Sequence, residues 1–364
     1  MRSEFKMAII LGVAIAVGVA TLSIVLSSLD NEFESAGTTD ASGIDKSRFK
    51  MAPELVGIAY HMNATPEELA QDMEGKVVLY DIWTYSCINC IRTLPHIAAW
   101  NDKYADDGLL IIGIHSPEFE FEKDPANVEM AIEKYNITWP VVLDNDWETW
   151  NAFENRYWPR KYVADHEGYI RYDHIGEGAY KETEKVIQSL LEERAASFGL
   201  QSPDTQLADI DAFEHTAFRT PELYFGYKFA LGRNNLGSSE GFSPGNTVTY
   251  ASPKDIVLHK FYPIGTWKNT EDNMQLESET GAVKLSYSAK QVNIVTANSA
   301  EIEVLLDGKP LPMQYAGADI VDAGMLYVDA PGLYNIIDED ASSSHMLELK
   351  IKGKGFQIFT FTFG

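Results

Sequence analysis

Cys87 and Cys90 are the only cysteines in this 364-residue chain, and two residues separate them. The apolar run at residues 77–80 has the length and β-branching of a buried strand. Apolar positions at helical spacing follow from Ile91, so the pair is predicted at a strand-to-helix junction with Cys87 near the helix N-cap. Unpaired N–H groups and the helix dipole favour a thiolate there, and this spacing lets two sulfurs form and reopen a disulfide.

The Cys-x-x-Cys pattern by itself also describes half of a zinc site. A structural zinc site needs two further cysteine or histidine ligands at similarly short spacing. The chain has no other cysteine, and no two of its eight histidines stand that close together in the sequence. The pattern therefore favours a redox-active dithiol over a metal site or a pair of inert thiols.

Residues 83–96 carry a more specific signal than the cysteines alone. Their sequence, Trp-Thr-Tyr-Ser-Cys-x-x-Cys-x-Arg-Thr-Leu-Pro-His, resembles a thioredoxin-fold active site, and the DipZ family in particular. The resemblance implies that Asp81, six residues before Cys87, is a buried acid that relays protons to Cys90. It also makes Pro95 the proline that kinks the active-site helix. The alternative for Asp81 is a strand-end residue that faces solvent.

The order of predicted elements agrees with this resemblance. A continuous apolar run at residues 109–114 predicts a central parallel strand, and residues 141–143 predict a shorter one. Residues 161–172 predict a hairpin, and residues 181–194 a closing helix. The order βαβα followed by ββα is the one that a thioredoxin-like α/β fold requires.

In that fold, a proline directly before the first hairpin strand is a cis-proline that faces the dithiol. Pro159, after Trp158, holds this place, and an ordinary trans proline is the alternative. We expect Pro159 to shape the substrate surface and Trp83, Tyr85, Trp158 and His115 to contribute to substrate binding. His115 follows a strand at the edge where α/β sheets place ligands, although a histidine that merely packs is equally consistent with the sequence.

The character of the chain changes beyond about residue 200. Short runs rich in Val, Ile, Tyr and Phe, separated by turns such as Asp307-Gly308, predict an antiparallel β-sandwich of roughly 140 residues. Residues 220–227 and 359–364 resemble the carboxyl-terminal module of the DipZ family, which implies a jelly roll like that of carbohydrate-binding modules. Trp267, Tyr262 or Tyr224 would suit a sugar ring, but an aromatic residue in a strand more often belongs to a core.

The first 29 residues indicate the compartment. Residues 7–29 contain no charged residue and would span about 34 Å as a helix. Arg2 and Lys6 precede this run, so its basic flank should remain in the cytoplasm. The run is longer than the roughly 7–15 apolar residues of a cleaved signal peptide. We therefore expect one uncleaved transmembrane helix in the cell membrane, with the catalytic part outside the cytoplasm.

Together these patterns predict five segments: an anchor at 1–29, a flexible acidic linker at 30–50, a thioredoxin-like domain at 51–198, a linker at 199–221 and the β-sandwich at 222–364. The formal net charge of −25 argues against binding to nucleic acid. DipZ proteins carry a multi-span, electron-carrying membrane domain, whereas this chain has one anchor without cysteine. Electrons would therefore come from a separate membrane donor of the CcdA/DsbD type.

The sequence thus supports the hypothesis of a thiol-disulfide oxidoreductase that reduces disulfides of exported proteins and needs no cofactor. Cys87 would attack the substrate, Cys90 would resolve the mixed disulfide, and Asp81 would accept the proton. One alternative is a metal-handling protein in which the two thiolates and a histidine such as His115 hold Cu(I). Another is a surface binding module in which the thioredoxin fold is a scaffold.

Overall fold

The computed structural model describes residues 46–213 and 219–364. The expected anchor at 1–29 and most of the expected linker at 30–50 lie outside these residues. Within the described ranges, no helix is both long enough and apolar enough to cross a bilayer. We refer to residues 46–213 as the α/β part and to residues 219–364 as the β part.

The α/β part contains one mixed sheet whose six described strands run in the order β1-β4-β3-β2-β5-β6. The central strand β2 pairs in parallel with β3 and antiparallel with β5. All seven residues of β2 are buried, as expected for a strand covered by helices on both faces. The strands are β1 (Tyr60–Met62), β2 (Val77–Trp83), β3 (Leu109–His115), β4 (Val141–Leu143), β5 (Arg160–Ala164) and β6 (Ile170–Ile175).

Five helices cover this sheet in the described range: α1 (Pro66–Met73), α2 (Ile88–Tyr104), α3 (Pro125–Lys134), α4 (Glu148–Ala152) and α5 (Tyr180–Phe198). Helices α2, α3 and α5 share one buried cluster, to which they contribute Ile97, Val128 and Ile187. Helices α1 and α4 contribute Leu69 and Trp150 to a second cluster on the other face. This layering is that of the thioredoxin fold.

Local signals set the starts of two of these helices. Thr65 accepts a hydrogen bond from the Glu68 backbone, and the Glu68 side chain accepts one from the Thr65 backbone. This capping box places Pro66 at the first helical position, where its missing N–H costs nothing. Asp124 caps α3 in a related way, with Pro125 as the first residue.

The β part is an antiparallel sheet of ten described strands in the order β13-β12-β15-β11-β16-β10-β9-β8, with β14 paired to β12 and β7 to β16. Its elements are β7 (Leu223–Tyr224), α6 (Tyr227–Ala230), β8 (Thr247–Tyr250), β9 (Lys260–Asn269), β10 (Met274–Leu276), β11 (Thr280–Ala297), β12 (Ala300–Leu306), β13 (Lys309–Pro310), β14 (Met325–Val328), β15 (Gly332–Lys352) and β16 (Gln357–Phe363).

Strand lengths in the β part differ from the sequence pattern. The sequence pattern predicts two short strands at residues 283–287 and 292–296, but both stretches belong to the single 18-residue strand β11. A register shift between Ala289 and Gln291 interrupts the ladder without ending the strand. Such a bulge bends a long strand, and a local pattern cannot distinguish it from a turn.

The aromatic residues considered as sugar contacts are not available at the surface. The exposed fractions are 0% for Trp267, 3% for Tyr262 and 6% for Tyr224. Trp267 belongs to the main core of the β part, while Tyr224 belongs to a cluster shared with the α/β part. These three side chains are therefore core residues.

The two parts share one small apolar cluster. Phe119 and Phe121, in the segment after β3, pack on Phe359 of β16 with ring centroids 4.9 and 4.8 Å away. Tyr224 and Val295 from the β part complete the same buried cluster. The segment after β3 is thus held between the sheet of the α/β part and the β part.

Two carboxyl groups meet one tyrosine hydroxyl at this interface. The Tyr224 hydroxyl is 2.7 Å from Glu118 Oε1 and 2.8 Å from Glu222 Oε2. A hydroxyl has one proton and donates to only one acceptor at a time, so the two carboxyls compete for it. Burial, together with repulsion from Glu222 and Glu122, raises the pKa of Glu118 well above its ordinary value. The Tyr224 hydroxyl thus links Glu118 of the α/β part to the β part.

We expect Phe359→Ala to lower the free energy of unfolding by about 3–5 kcal/mol, because it removes a buried ring that contacts both Phe119 and Phe121. Denaturant unfolding followed by tryptophan fluorescence measures this loss. Tyr327→Ala is the control, since Tyr327 is 55% exposed and should change stability by less than about 0.5 kcal/mol. Equal effects of the two substitutions would contradict a shared core.

Candidate active site

The two cysteines lie at the amino-terminal end of α2, as predicted. Cys87 is the N-cap residue with an extended backbone, and its Sγ accepts a hydrogen bond from the Cys90 N–H at 3.4 Å. Both residues are free thiols, with Cys87 half-buried and Cys90 buried. Cys87 is therefore the sulfur that a second molecule can reach.

Cys90 is held in its protonated form. Burial raises the pKa of its thiol well above the ordinary value, and the hydrogen bond with Cys87 and the charge of Asp81 act in the same direction. Since only the thiolate attacks a disulfide, Cys90 needs a proton acceptor before it can react.

Asp81 lies within β2 and is 2% exposed, which confirms the buried position and excludes the solvent-facing one. Burial raises the pKa of Asp81 to about 6, although the cation of Lys161 opposes this shift. Its Oδ1 has no hydrogen-bond partner among the described residues. A carboxylate with this pKa is ionised at neutral pH and remains basic enough to take up a proton.

Lys161 is a site residue that the sequence analysis missed. It lies on β5 directly opposite Asp81 in the antiparallel ladder, and its side chain is fully buried. Its Nζ donates to the Gly176 carbonyl at 3.3 Å. Burial lowers the pKa of Lys161, whereas the charges of Asp81 and Cys90 raise it. A lysine in a strand ordinarily indicates a solvent-facing position, and only the register of β5 against β2 reveals this pair.

The Trp158–Pro159 peptide bond is cis, as predicted. Pro159 directly precedes β5, and because Arg160 pairs with Ile82, it lies next to the end of β2. The turn at residues 84–87, here called the dithiol turn, starts from that end. Trp158 is half-buried, and its Nε1 donates to the Ser116 carbonyl at 2.9 Å. The proline and the dithiol thus flank the same edge of the sheet.

Trp83 and His115 do not lie where a substrate can touch them. They are 1% and 0% exposed. His115 Nε2 is 3.3 Å from Thr84 Oγ1, and burial lowers the pKa of His115 to about 3, so its ring is neutral at neutral pH. These two buried residues pack beneath the dithiol turn. The expectation that they contact substrate is therefore wrong. Tyr85, stacked on His115 at 5.7 Å, is only 5% exposed.

Glu122 fixes the position of Ser86, the residue before Cys87, through a hydrogen bond. The Ser86 hydroxyl donates to Glu122 Oε1 at 2.6 Å, and Glu122 Oε2 accepts from the backbone N–H groups of Glu118 and Phe119 at 2.6 and 2.9 Å. Glu122 is fully buried. The segment that packs on the β part is therefore hydrogen-bonded to the dithiol turn.

Arg92 connects the active-site helix α2 to the β part through a hydrogen bond. Its guanidinium donates to Gln291 Oε1 at 2.8 Å, lies 3.7 Å from Glu177 and stands 3.6 Å from the centre of the Phe213 ring. Its side chain is only 8% exposed. Nothing in the local pattern of α2 predicted this contact, because Gln291 is 199 residues away.

The described residues contain no group of three or more His, Cys, Asp or Glu side chains arranged to hold a metal ion. The copper alternative places a histidine such as His115 beside the two sulfurs as a ligand. The structure instead places His115 against Thr84 and the Tyr85 ring. The arrangement offers a dithiol, a buried carboxylate and a buried cation.

The pKa of Asp81 predicts how it affects stability. The pKa of Asp81 is about 6 in the folded protein, above the ordinary value of 3.8. Between these two pH values the folded protein binds a proton that the unfolded chain has lost. The free energy of unfolding therefore falls as the pH rises through this interval. Two pKa units correspond to about 3 kcal/mol. We expect Asp81→Asn to raise the free energy of unfolding by about this amount at pH 7.

The same substitution should have little effect at about pH 3.5, where Asp81 is protonated in the folded protein and mostly protonated in the unfolded chain. Urea unfolding at the two pH values measures the difference. Asp72→Asn, on the exposed face of α1, is the matched control. A gain that is equal at both pH values would contradict the assignment.

Comparison with known families matches the two parts separately. Residues 60–173 match the AhpC/TSA family, and residues 220–364 match the family described as a thioredoxin-like C-terminal domain. The chain is 35% identical to protein DipZ of Mycobacterium tuberculosis over 316 residues, which is 86% of this chain. That similarity spans 43% of DipZ, so the chain covers less than half of this relative.

A shorter relative is covered almost completely. The chain is 33% identical to the thiol-disulfide oxidoreductase YkuV of Bacillus subtilis over 143 residues, 39% of this chain and 94% of YkuV. A thioredoxin-like protein solved in solution in its oxidised form is 31% identical, with a TM-score of 0.36 and coverage of 41% of this chain and 99% of its own. The sequence similarity to YkuV and DipZ shows that the chain belongs to the thioredoxin family of thiol-disulfide oxidoreductases.

Proposed function

We propose that this protein is a membrane-anchored, extracytoplasmic thiol-disulfide oxidoreductase that reduces disulfides of exported proteins. The observation that carries the proposal is the difference in burial between the two thiols. Cys87 is partly exposed at the start of α2, Cys90 is buried behind it, and Asp81 lies buried beneath. The similarity to the thiol-disulfide oxidoreductase YkuV supports the reaction class.

The first step is the attack of the Cys87 thiolate on a substrate disulfide. A bond forms between Cys87 Sγ and one substrate sulfur, and the other substrate sulfur leaves as a thiolate. Cys87 lies at the helix N-terminus, and the Cys90 N–H donates to its sulfur. Trp158, half-buried just before β5, offers surface to the substrate chain, and the buried cis-Pro159 sets the path of the backbone there.

The second step releases the reduced substrate. Cys90 loses its proton to Asp81 and attacks Cys87 Sγ, so a bond forms between the two cysteine sulfurs and the bond between Cys87 and the substrate breaks. The substrate sulfur leaves as a thiolate, which takes up the proton from Asp81 or from solvent. The raised pKa of Cys90 makes the acceptor necessary, and the pKa of Asp81 near 6 makes it competent at neutral pH. Lys161 stabilises the carboxylate form of Asp81 between turnovers.

Two electrons from another molecule must then reduce the Cys87–Cys90 disulfide. The chain has no further cysteine to supply them. We assign this role to a membrane donor of the CcdA/DsbD type, and residues 1–29 to the anchor that keeps the protein beside it. We also propose that the β part is a jelly roll of the carbohydrate-binding-module type that supports the redox site.

We expect Cys90→Ser to accumulate mixed disulfides with exported proteins through Cys87, because the resolving thiol is absent. Non-reducing electrophoresis of cells that carry the full chain, followed by mass spectrometry, identifies the trapped partners. Cys87→Ser, which keeps Cys90 buried, is the matched control and should trap none. Equal trapping by both variants would contradict the assignment of Cys87 as the nucleophile.

The direction of electron flow needs its own measurement. Equilibration of the purified protein with glutathione buffers gives the potential of the Cys87–Cys90 couple. A value near −270 mV, about that of thioredoxin, supports a reductant, whereas a value near −120 mV, about that of strong periplasmic oxidants, would reverse the direction.

We expect Lys161→Met to shift the pH dependence of the second step. Without the buried cation, the carboxylate form of Asp81 is less favoured and its pKa rises above about 6, so the midpoint of the rate should move up by about one pH unit or more. Single-turnover reduction of a peptide disulfide between pH 5 and 8 measures the midpoint. Lys123→Met, at a partly exposed lysine, should leave it unchanged, and an unchanged midpoint in Lys161→Met would refute the pairing.

A further inference from the structure

A pocket of about 270 Å³ lies between the α/β part and the β part, beside the dithiol turn. Its α/β wall includes Tyr85, the apolar residues Met130 and Ala131 of α3, and Tyr135 just after α3, with Asn127 and Lys134 of α3 beside them. Tyr85 precedes Cys87 by two residues, so their Cα atoms are separated by about 7 Å at most. The pocket is therefore continuous with the segment that carries the nucleophile.

The opposite wall comes from the start of β15. Gly332 lies against Tyr85, since a Cβ atom built on Gly332 would stand 3.9 Å from Tyr85 Cε2. Leu333 and Tyr334 continue this wall, and the Tyr334 hydroxyl donates to the Ala330 carbonyl at 2.7 Å. That hydrogen bond holds the loop before β15 in place, so the wall is preformed.

The size and lining of this pocket identify what it accepts. Its volume equals that of about nine water molecules at ~30 Å³ each, which exceeds an ordinary packing defect. It lies just below the ~300–1,000 Å³ of sites for drug-sized ligands. Aromatic and aliphatic side chains form most of the surface, with Lys134, Asp319 and Asp329 also contributing. The dimensions suit one large apolar side chain.

Tyr85 gives a second indication of an absent partner. Its hydroxyl is buried and has no hydrogen-bond partner among the residues that the structure describes. Buried hydroxyl groups in folded proteins are nearly always paired, so an unpaired one at the wall of a pocket needs an explanation. A polypeptide that enters the pocket can provide one, because its backbone carbonyl groups accept hydrogen bonds.

We propose that this pocket is a subsite for one large aliphatic or aromatic side chain of the substrate polypeptide, two or three residues from the cysteine that Cys87 attacks. The proposal rests on the proposed disulfide reduction and names its substrate class. An extended chain advances about 3.3 Å per residue, so a residue at that distance from the substrate cysteine reaches past Tyr85. The β part thereby contributes directly to specificity.

The test uses peptides with one cysteine held as a mixed disulfide with 2-nitro-5-thiobenzoate. The residues two and three positions from the cysteine, on either side, are Gly in one series and Leu or Phe in the other. The reduced protein attacks the peptide sulfur and releases the yellow thiolate, whose absorbance gives the second-order rate constant. We expect the Leu and Phe peptides of one side to react about tenfold faster or more.

Gly332→Leu should remove this preference by filling the pocket. Gly332 does not have a left-handed backbone, and a Cβ atom there meets Tyr85 at an ordinary contact distance, so the substitution suits the fold. We expect the Leu and Phe peptides to fall to the rate of the Gly peptide, while the Gly peptide and 5,5′-dithiobis(2-nitrobenzoate) keep their rates. Val257→Leu, at a 54% exposed position outside the pocket, is the control and should retain the preference.

Met130→Ala provides an independent variant, because Met130 is 45% exposed and its truncation enlarges the pocket with little risk to folding. We expect it to shift the preference towards Trp peptides. Equal rates for all peptides with the unaltered protein, or a preference that survives Gly332→Leu, would overturn the subsite alone. No reaction with the small disulfide would overturn the proposed function, and the subsite with it.

Discussion

The burial of one negative charge beneath the dithiol is the constraint on which the site depends. Asp81 occupies the fully buried central strand, where desolvation makes its carboxylate unfavourable. Lys161 reduces this cost from the neighbouring strand but does not cancel it, because the pKa of Asp81 still lies near 6. The resulting base is strong enough to take the proton of Cys90, and the protein gives up stability at neutral pH to keep it.

The β part completes this site because it is hydrogen-bonded and packed to the elements that carry the dithiol. Phe359 holds the segment after β3, that segment presents Glu122 to Ser86, and Ser86 directly precedes Cys87. On the far side, Gln291 binds the guanidinium of Arg92. The position of the nucleophile therefore depends on contacts between the two parts as well as on the thioredoxin fold.

The interface is apolar around its aromatic cluster, and the Tyr224 hydroxyl also contacts Glu118 and Glu222 there. Burial and the charge of Glu222 raise the pKa of Glu118 well above its ordinary value. Glu222 itself is exposed, so water can solvate its charge. The contact between the two parts therefore accommodates this pair of acidic residues.

The sequence by itself determined the features that depend on neighbouring residues. The Cys87–Cys90 pair at a strand-to-helix junction, the burial of Asp81 and the cis bond before Pro159 all follow from short stretches and their resemblance to a known family. The tertiary structure alone decided the contacts that join distant segments. Lys161 lies opposite Asp81, and Gln291 reaches Arg92, because strand register and domain packing bring them together. Local periodicity states which residues share a face, but not which distant element covers that face.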